Sequence, residues 1–287
     1  MGTDATQHDG VIDLSAPRRF HVLGTAGPGM SALAIVLARM GHAVSGCDMR
    51  DAPSMESQRR LGVTAVTGHD TAHVEGVDWV IFPTGFPASH PEILAAQTAG
   101  TPVAHRSAAL AAVTAAHRSV GVLGTHGKTT TTSLLTAILR SAGRDPSFYI
   151  GAEVPQWGTG ADVGTDGTMV IECDESDESA ASVVLESAVL TNVDADHLDR
   201  YGDIDGVERE YAEVLSRVTG TAVVCGDDQR AVSAASAAAA NGASVVTYGF
   251  GSGNAVVTSE PVQTDDGIAF TVTFAGATHD VRIPLRG

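Results

Sequence analysis

The segment Gly121-Val-Leu-Gly-Thr-His-Gly-Lys-Thr-Thr-Thr-Thr132 decides how this chain is read. An apolar run, Val120–Leu123, enters a glycine turn at Gly124–Gly127, and Lys128 with its threonines opens a helix that runs to about Ala142. A strand feeding a glycine turn and a helix N-terminus forms a cradle of backbone N–H groups for phosphate. Glycine suits such a turn because a Cβ would hold the backbone away from the phosphate oxygens. Lys128 would reach the β- and γ-phosphates, and the hydroxyl of Thr129 or Thr130 would ligate Mg²⁺. The usual loop has a glycine five residues before the glycine of Gly-Lys. Val122 holds that place here, so the motif shortens to Gly124-Thr125-His126-Gly127-Lys128-Thr129. Lys128 is the only lysine in 287 residues, and it stands where phosphoryl chemistry needs an ammonium.

Short apolar runs alternate with helical stretches on both sides of this loop, the pattern of a parallel α/β sheet. Strands are expected at 20–24, 43–48, 77–82, 102–104, 120–123, 169–173, 188–193, 222–225 and 244–248. Helices are expected at 29–40, 91–99, 107–116, 128–142, 205–218 and 229–241. Beyond Tyr248 the period changes to alternation, with Asp265-Asp266-Gly267 as a hairpin turn. The fold class expected is α/β: a Rossmann-like N-terminal domain, then a P-loop-type mononucleotide-binding α/β domain with a C-terminal antiparallel hairpin region. Residues 1–16 carry no hydrophobic period and read as a disordered tail, with domains at 17–117 and 118–287.

A second glycine turn, Gly24-Thr-Ala-Gly-Pro-Gly-Met-Ser31, joins the first strand to the first helix, and Asp48 ends the next strand. A diphosphate would sit on that helix N-terminus while Asp48 accepts from a ribose hydroxyl. Two acidic clusters follow later strands: Ile171-Glu-Cys-Asp-Glu-Ser-Asp-Glu178 and Thr191-Asn-Val-Asp-Ala-Asp-His-Leu-Asp199. Carboxylates at strand ends beside a nucleotide phosphate are natural Mg²⁺ ligands. His197 could serve as a neutral nitrogen ligand or as a hydrogen-bonding partner.

Composition removes several classes of function. With 17 Lys plus Arg against 34 Asp plus Glu the formal net charge is −17, which repels nucleic acid and anionic lipid. No window approaches the ~18 uninterrupted apolar residues of a membrane span, and the polar N-terminus lacks signal-peptide order. Cys47, Cys173 and Cys225 are far apart, odd in number and without metal-ligand spacing, so they read as reduced thiols of a cytoplasmic protein.

Together these residues resemble the Mur ligases. The resemblance rests on Gly24…Gly29-Met30-Ser31, the Thr125–Thr132 string, Asp174-Glu-Ser-Asp177 and the Asp196-His-Leu-Asp199 box, and it covers about Arg18 to Gly287. It implies an ATP- and Mg²⁺-dependent acid–amino-acid ligase of peptidoglycan precursor synthesis, nearest the branch that joins L-alanine to UDP-N-acetylmuramate through an acyl phosphate. The resemblance assigns ATP to Gly124, Thr125, His126, Gly127, Lys128, Thr129, Thr130 and Asn192. It assigns Mg²⁺ to Thr129, Glu172 and His197, with Lys128, Glu172 and His197 as the catalytic group. The UDP-substrate falls to Gly24, Gly27, Gly29, Met30, Ser31, Asp48 and Arg106. Residues 17–117 would then be the UDP-substrate domain and 118–287 an incomplete ATP-binding central domain, with the family's third domain absent and the chain alone inactive. Alternatives within the resemblance are a sister ligase taking another amino acid or a peptide, and a non-catalytic UDP-sugar- or nucleotide-binding relative. Departures cluster near the UDP-substrate positions: Thr25 and Ala26 stand for Ile-Gly, Pro28 follows Gly27, and His90-Pro91-Glu92 replaces Asn-Pro-Glu.

Overall fold

The computed structural model describes residues 11–174, 179–196 and 198–284. Two compact units emerge: Met1–Gly121 with Thr129–Val184, and Val122–Lys128 with Leu185–Gly287. The first unit therefore draws on both sides of the 117/118 division expected from the sequence.

In the first unit, β1 (Arg19–Leu23) leads to α1 (Pro28–Arg39) and β2 (Ala43–Asp48). Then come α2 (Pro53–Arg60), β3 (Thr64–Thr67), a 3-10 turn at Thr71–Val74 and β4 (Trp79–Phe82). The half closes with α3 (Pro91–Thr98), β5 (Val103–His105) and α4 (Arg106–Ala115). The five strands form a parallel sheet of order β3-β2-β1-β4-β5. Val22 of β1 pairs with Gly46 on one side and Ile81 on the other, so the strand order reverses beside β1. An open α/β sheet binds ligands at the carboxyl end of such a strand, which here is the turn from Gly24.

Pro28 starts α1, where its missing N–H costs nothing. From Met30 to Leu37 every residue of α1 is buried, as expected for a helix apolar on all sides. Its neighbours include β2 and also β7 (Ser147–Val154) and β8 (Thr159–Asp162). Arg39 Nε lies 2.7 Å from Asp162 Oδ1 across that packing. β7 pairs in parallel with β9 (Thr168–Glu172) and antiparallel with β8. A one-turn helix, Ser179–Ser182, ends this unit's regular structure.

β6 (Arg118–Leu123) and α5 (Lys128–Ser141) flank the phosphate-type loop. The second unit continues with β10 (Ser187–Leu190), a helical turn at Leu198–Tyr201, a helix at Ile204–Leu215 and β11 (Thr221–Cys225). A helix at Gln229–Ala240 and β12 (Ser244–Gly249) complete its parallel part, in which β11 lies between β10 and β12. Both of these longer helices are capped by aspartates, Asp203 on Gly206 N and Asp228 on Arg230 N and Ala231 N. β13 (Val256–Thr258) pairs in parallel with β12, whereas alternation suggested only antiparallel strands there. β14 (Val262–Thr264), β15 (Gly267–Phe274) and β16 (Ala277–Ile283) are antiparallel, with Thr264 opposite Gly267 across the expected Asp265-Asp266 turn.

The expected elements recur within a few residues of their bounds. Among the described residues α2, β3, β7 and β8 were not expected, nor were the single helical turns at Thr71–Val74, Ser179–Ser182 and Leu198–Tyr201. Residues 11–16, expected within the loose tail, hold Ile12 buried and Asp13 paired with Arg18 at 3.0 Å. Among the described residues no helix is long and apolar enough to cross a membrane.

Candidate functional site

The first unit contains a cavity of about 540 Å³ whose lining includes Gly24, Gly27, Gly29, Met30, Asp48, Arg106, Tyr149, Glu172 and Asp174. The turn at its mouth is held from several directions. Gly24 N and Thr25 N donate to Cys47 O, Ala26 N to Asp48 Oδ2 at 3.1 Å, and buried Gln58 Nε2 to Thr25 O at 2.8 Å. Asp48 Oδ1 accepts from Arg50 N at 3.0 Å, which orients the carboxylate whose other oxygen holds the turn. Gly24 is the residue of this turn with positive φ, +73°, and Ala26 is accommodated without it. Thr25 is fully buried with its methyl over Gly46, where a Cβ would collide with it; nothing in the structure explains threonine there in place of Ile. Phe86 of the unusual Gly85-Phe86-Pro87 segment lies against Gly24 and lines the cavity.

Arg106 opens α4 at the cavity wall, and a Cβ on Gly29 would strike its guanidinium. Glycine at 29 therefore permits the cation to approach the N-terminus of α1, where backbone N–H groups already favour an anion. Tyr149 of β7 fixes the same helix end by donating to Gly29 O at 2.8 Å. Ser31 departs from expectation: it is buried, lines a smaller cavity beneath α1, and donates its N–H to Gly27 O. Glu172, the last residue of β9, also lines the cavity and accepts from Thr129 Oγ1 at 2.8 Å and from Gly151 N at 2.8 Å. A hydroxyl and a carboxylate side by side supply the hard oxygen donors that Mg²⁺ prefers. Thr130, the other hydroxyl considered, is exposed.

In the second unit the loop Gly124–Lys128 is tied to the end of β10. Asn192 Oδ1 accepts from His126 N at 2.9 Å, its Nδ2 donates to His126 O at 3.0 Å, and Thr191 Oγ1 donates to the same oxygen at 2.8 Å. Thr125 Oγ1 accepts from Asp194 N at 2.9 Å. The Asp194 carboxyl is held below the usual range by Ala195 N and by His126 Nε2 at 3.2 Å. Tyr248 donates to Thr191 O, and burial, then nearby Cys225 and Asp228, push its phenol up to about 12. Lys128 Nζ caps the loop carbonyls of Gly124 and Thr125 at 2.8 and 3.3 Å. Gly124 and Gly127 have φ of +128° and +81°. The Cβ position of Gly124 points into Thr191 Oγ1, so glycine there admits the strand end rather than a ligand oxygen, correcting the reason given from sequence. Gly127 has open space around it and is glycine for its left-handed backbone.

His197 and residues 175–178, expected at the metal, lie outside the described residues. Sequence reasoning missed Tyr149, Gly151 and Phe86. Tyr149 and Gly151 sit on the unread β7, and the signal for Phe86 was its odd Gly-Phe-Pro setting.

Comparison with known proteins follows the same residues. The model described as "Mur ligase family, catalytic domain" matches residues 19–118, and "Mur ligase middle domain" matches 122–287. The UDP-N-acetylmuramate–L-alanine ligase of Salinispora arenicola is 39% identical over 271 residues, 93% of this chain and 53% of the relative. That of Acidothermus cellulolyticus is 42% identical over 244 residues, 84% and 51% respectively. The chain thus spans about half the length of the curated relatives it matches. Among solved structures, the UDP-N-acetylmuramate:L-alanyl-γ-D-glutamyl-meso-diaminopimelate ligase of Neisseria meningitides superposes with a TM-score of 0.82 at 26% identity, covering 95% of this chain and 89% of that one. The UDP-N-acetylmuramate-alanine ligase of Thermotoga maritima shares the fold with a TM-score of 0.80 at 21% identity. With both segments matched in order and both glycine loops in place, the chain belongs to the Mur ligase family.

Proposed function

We propose that this chain supplies the UDP-sugar and nucleotide sites of an ATP-dependent ligase that joins L-alanine to UDP-N-acetylmuramate in peptidoglycan precursor synthesis. One observation carries the reading: the first glycine turn, Arg106 and Glu172 line a single cavity. A ligase that activates a carboxylate with ATP needs its sugar diphosphate anchored within reach of the phosphoryl-transfer groups.

The N-terminus of α1 and Arg106 bind the diphosphate, and Arg106 suits it through its planar fork of donors. Lys128 and the N–H groups of residues 124–128 hold the ATP phosphates. Thr129 and Glu172 fit Mg²⁺ because their oxygens already meet at 2.8 Å; His197 is a further candidate ligand. When bound, Mg²⁺ supplies charge neutralisation for phosphoryl transfer. Glu172 and Lys128 act by position and charge rather than by moving protons.

A second reading is favoured by the Neisseria structure, nearly all of which this chain covers. In it the incoming amine belongs to a peptide rather than to L-alanine. Supplying ATP, Mg²⁺ and UDP-N-acetylmuramate with either L-alanine or L-alanyl-γ-D-glutamyl-meso-diaminopimelate, and detecting the amide by mass spectrometry, separates the two. UDP-N-acetylmuramate binding that is absent by calorimetry overturns both.

A further inference from the structure

Below the first turn, five side chains of the first unit converge on one buried carboxylate. Glu92, second residue of α3, is 0% exposed. His73 Nδ1 lies 2.8 Å from its Oε1 and His69 Nδ1 2.8 Å from its Oε2. His21 Nε2 is 3.7 Å from Oε1, and His90 Nδ1 is 3.8 Å from Oε2. Cys47 Sγ is 3.4 Å from both oxygens, 3.3 Å from His21 Nε2 and 3.1 Å from His69 Nδ1. Four donor atoms, from His21, Cys47, His73 and Glu92, all lie within 4.8 Å of one another. A carboxylate offers about four acceptor sites, and Glu92 faces four imidazoles, a thiol and the Asp70 N–H at 3.2 Å. The buried His90 Nδ1 has no hydrogen-bond partner.

We propose that this cluster is a structural Zn²⁺ site with His21 Nε2, Cys47 Sγ, His73 Nδ1 and a Glu92 oxygen as its four ligands. Tetrahedral zinc with bonds of about 2.0–2.3 Å places its donors roughly 3.3–3.6 Å apart, inside the spread seen here. Side-chain shifts below about 1 Å complete the shell. The donor set selects for the metal, since thiolate with imidazole suits zinc and disfavours Mg²⁺ or Ca²⁺. Charge balances as well: a thiolate and a carboxylate neutralise Zn²⁺, so no net charge is buried.

Outer contacts already orient the ligands. Ser45 Oγ donates to Phe20 O at 3.3 Å and so accepts from His21 Nδ1 at 2.8 Å. The proton is thereby placed on Nδ1, and the Nε2 lone pair faces the sulfur, the way ligating histidines are commonly held. His69 and His90 close the site around the other Glu92 oxygen. On binding, the S–H bond of Cys47 gives way to S–Zn and its proton leaves to solvent. His73, a quarter exposed, moves its proton from Nδ1 to Nε2, so one proton is released in all. The occupied site would tie β1, β2, the 3-10 turn and α3 together, directly under the Cys47 carbonyl that holds Gly24 and Thr25. It does not depend on the ligase reading.

The test uses the full chain, purified, stripped with chelator and titrated with Zn²⁺ and Co²⁺. The expected result is about one metal per chain, the visible bands of tetrahedral cobalt, and a thiolate-to-cobalt charge-transfer band that Cys47→Ser removes. His73→Asn should lower Zn²⁺ affinity at least about tenfold, and it serves as the second variant should Cys47→Ser fail to fold. Zn²⁺ should raise the melting temperature of the parent chain and not of Cys47→Ser. Absence of the cobalt bands, or a charge-transfer band that survives in Cys47→Ser, overturns the site.

Discussion

Thr129 donates its hydroxyl to Glu172 Oε1 at 2.8 Å while Gly151 N donates to Oε2 at 2.8 Å, so this carboxylate is fully oriented by its neighbours. Glu172→Gln changes the volume little and keeps both hydrogen bonds, since its amide oxygen can accept from Gly151 N and its NH₂ can donate to the Thr129 hydroxyl, which accepts as readily as it donates. What the variant removes is the negative charge. The variant should lose most of the Mg²⁺ dependence of ATP binding while Mg-free binding changes little. Calorimetry with and without Mg²⁺ reads this directly. An unchanged Mg²⁺ effect would remove Glu172 from the metal.

Lys128→Ala should weaken ATP binding by at least about 2 kcal/mol, near 30-fold. The chain has no other lysine and a net charge of −17, so no nearby ammonium replaces it. The same change releases the Gly124 and Thr125 carbonyls that Nζ caps, so the loop loses rigidity together with its charge. ATP affinity equal to the parent chain's, measured at matched ionic strength, would show that the phosphates bind elsewhere.

Asn192 is expected to act through the loop backbone, since both ends of its amide are engaged by His126. Asn192→Ala should cost about 1 kcal/mol of local stability and speed exchange of the His126 amide. Asn192→Asp keeps the acceptor for His126 N but sets a carboxylate against His126 O, so it should be the worse variant. Hydrogen exchange by NMR distinguishes this from a direct nucleotide contact, which would leave His126 protected.

The two glycine loops and the parallel strands were legible because each depends on local chemistry: glycines at turns, apolar runs at strand length, and a lone lysine. β7 was not legible, since its apolar run Phe148–Ile150 is short and breaks into Gly151 and Glu153, with no alternation to follow. Its two contributions to the cavity, Tyr149 and Gly151, went unread with it. The cluster around Glu92 was hidden for a different reason. Its members come from β1, β2, a loop, a 3-10 turn and α3, so spacing along the chain carries no metal signature. The cysteine reading looked for sequential pairs and could not see a single cysteine joined by histidines from other strands. At Gly124 the residue type was legible and its cause was not, because Thr191 lies 67 positions away along the chain.

Gly29→Ala separates folding from ligand binding most cleanly. Gly29 lies within α1 and does not need a left-handed backbone, so alanine there is favoured intrinsically, by up to about 1 kcal/mol. The added methyl, however, occupies the place of the Arg106 guanidinium and lies 3.3 Å from Tyr149 Oη. Arg106 can swing aside on its flexible stem, which relieves the clash but removes the cation from the diphosphate position. The expected outcome is a melting temperature equal to or above the parent's, with UDP-N-acetylmuramate affinity down at least about tenfold, or 1.4 kcal/mol. Arg106→Lys should lose affinity too, since an ammonium cannot present the guanidinium's bidentate fork. If Gly29→Ala bound the UDP-sugar as tightly as the parent chain, the anion would not sit at this helix end, and the assignment of the first turn would fall with it.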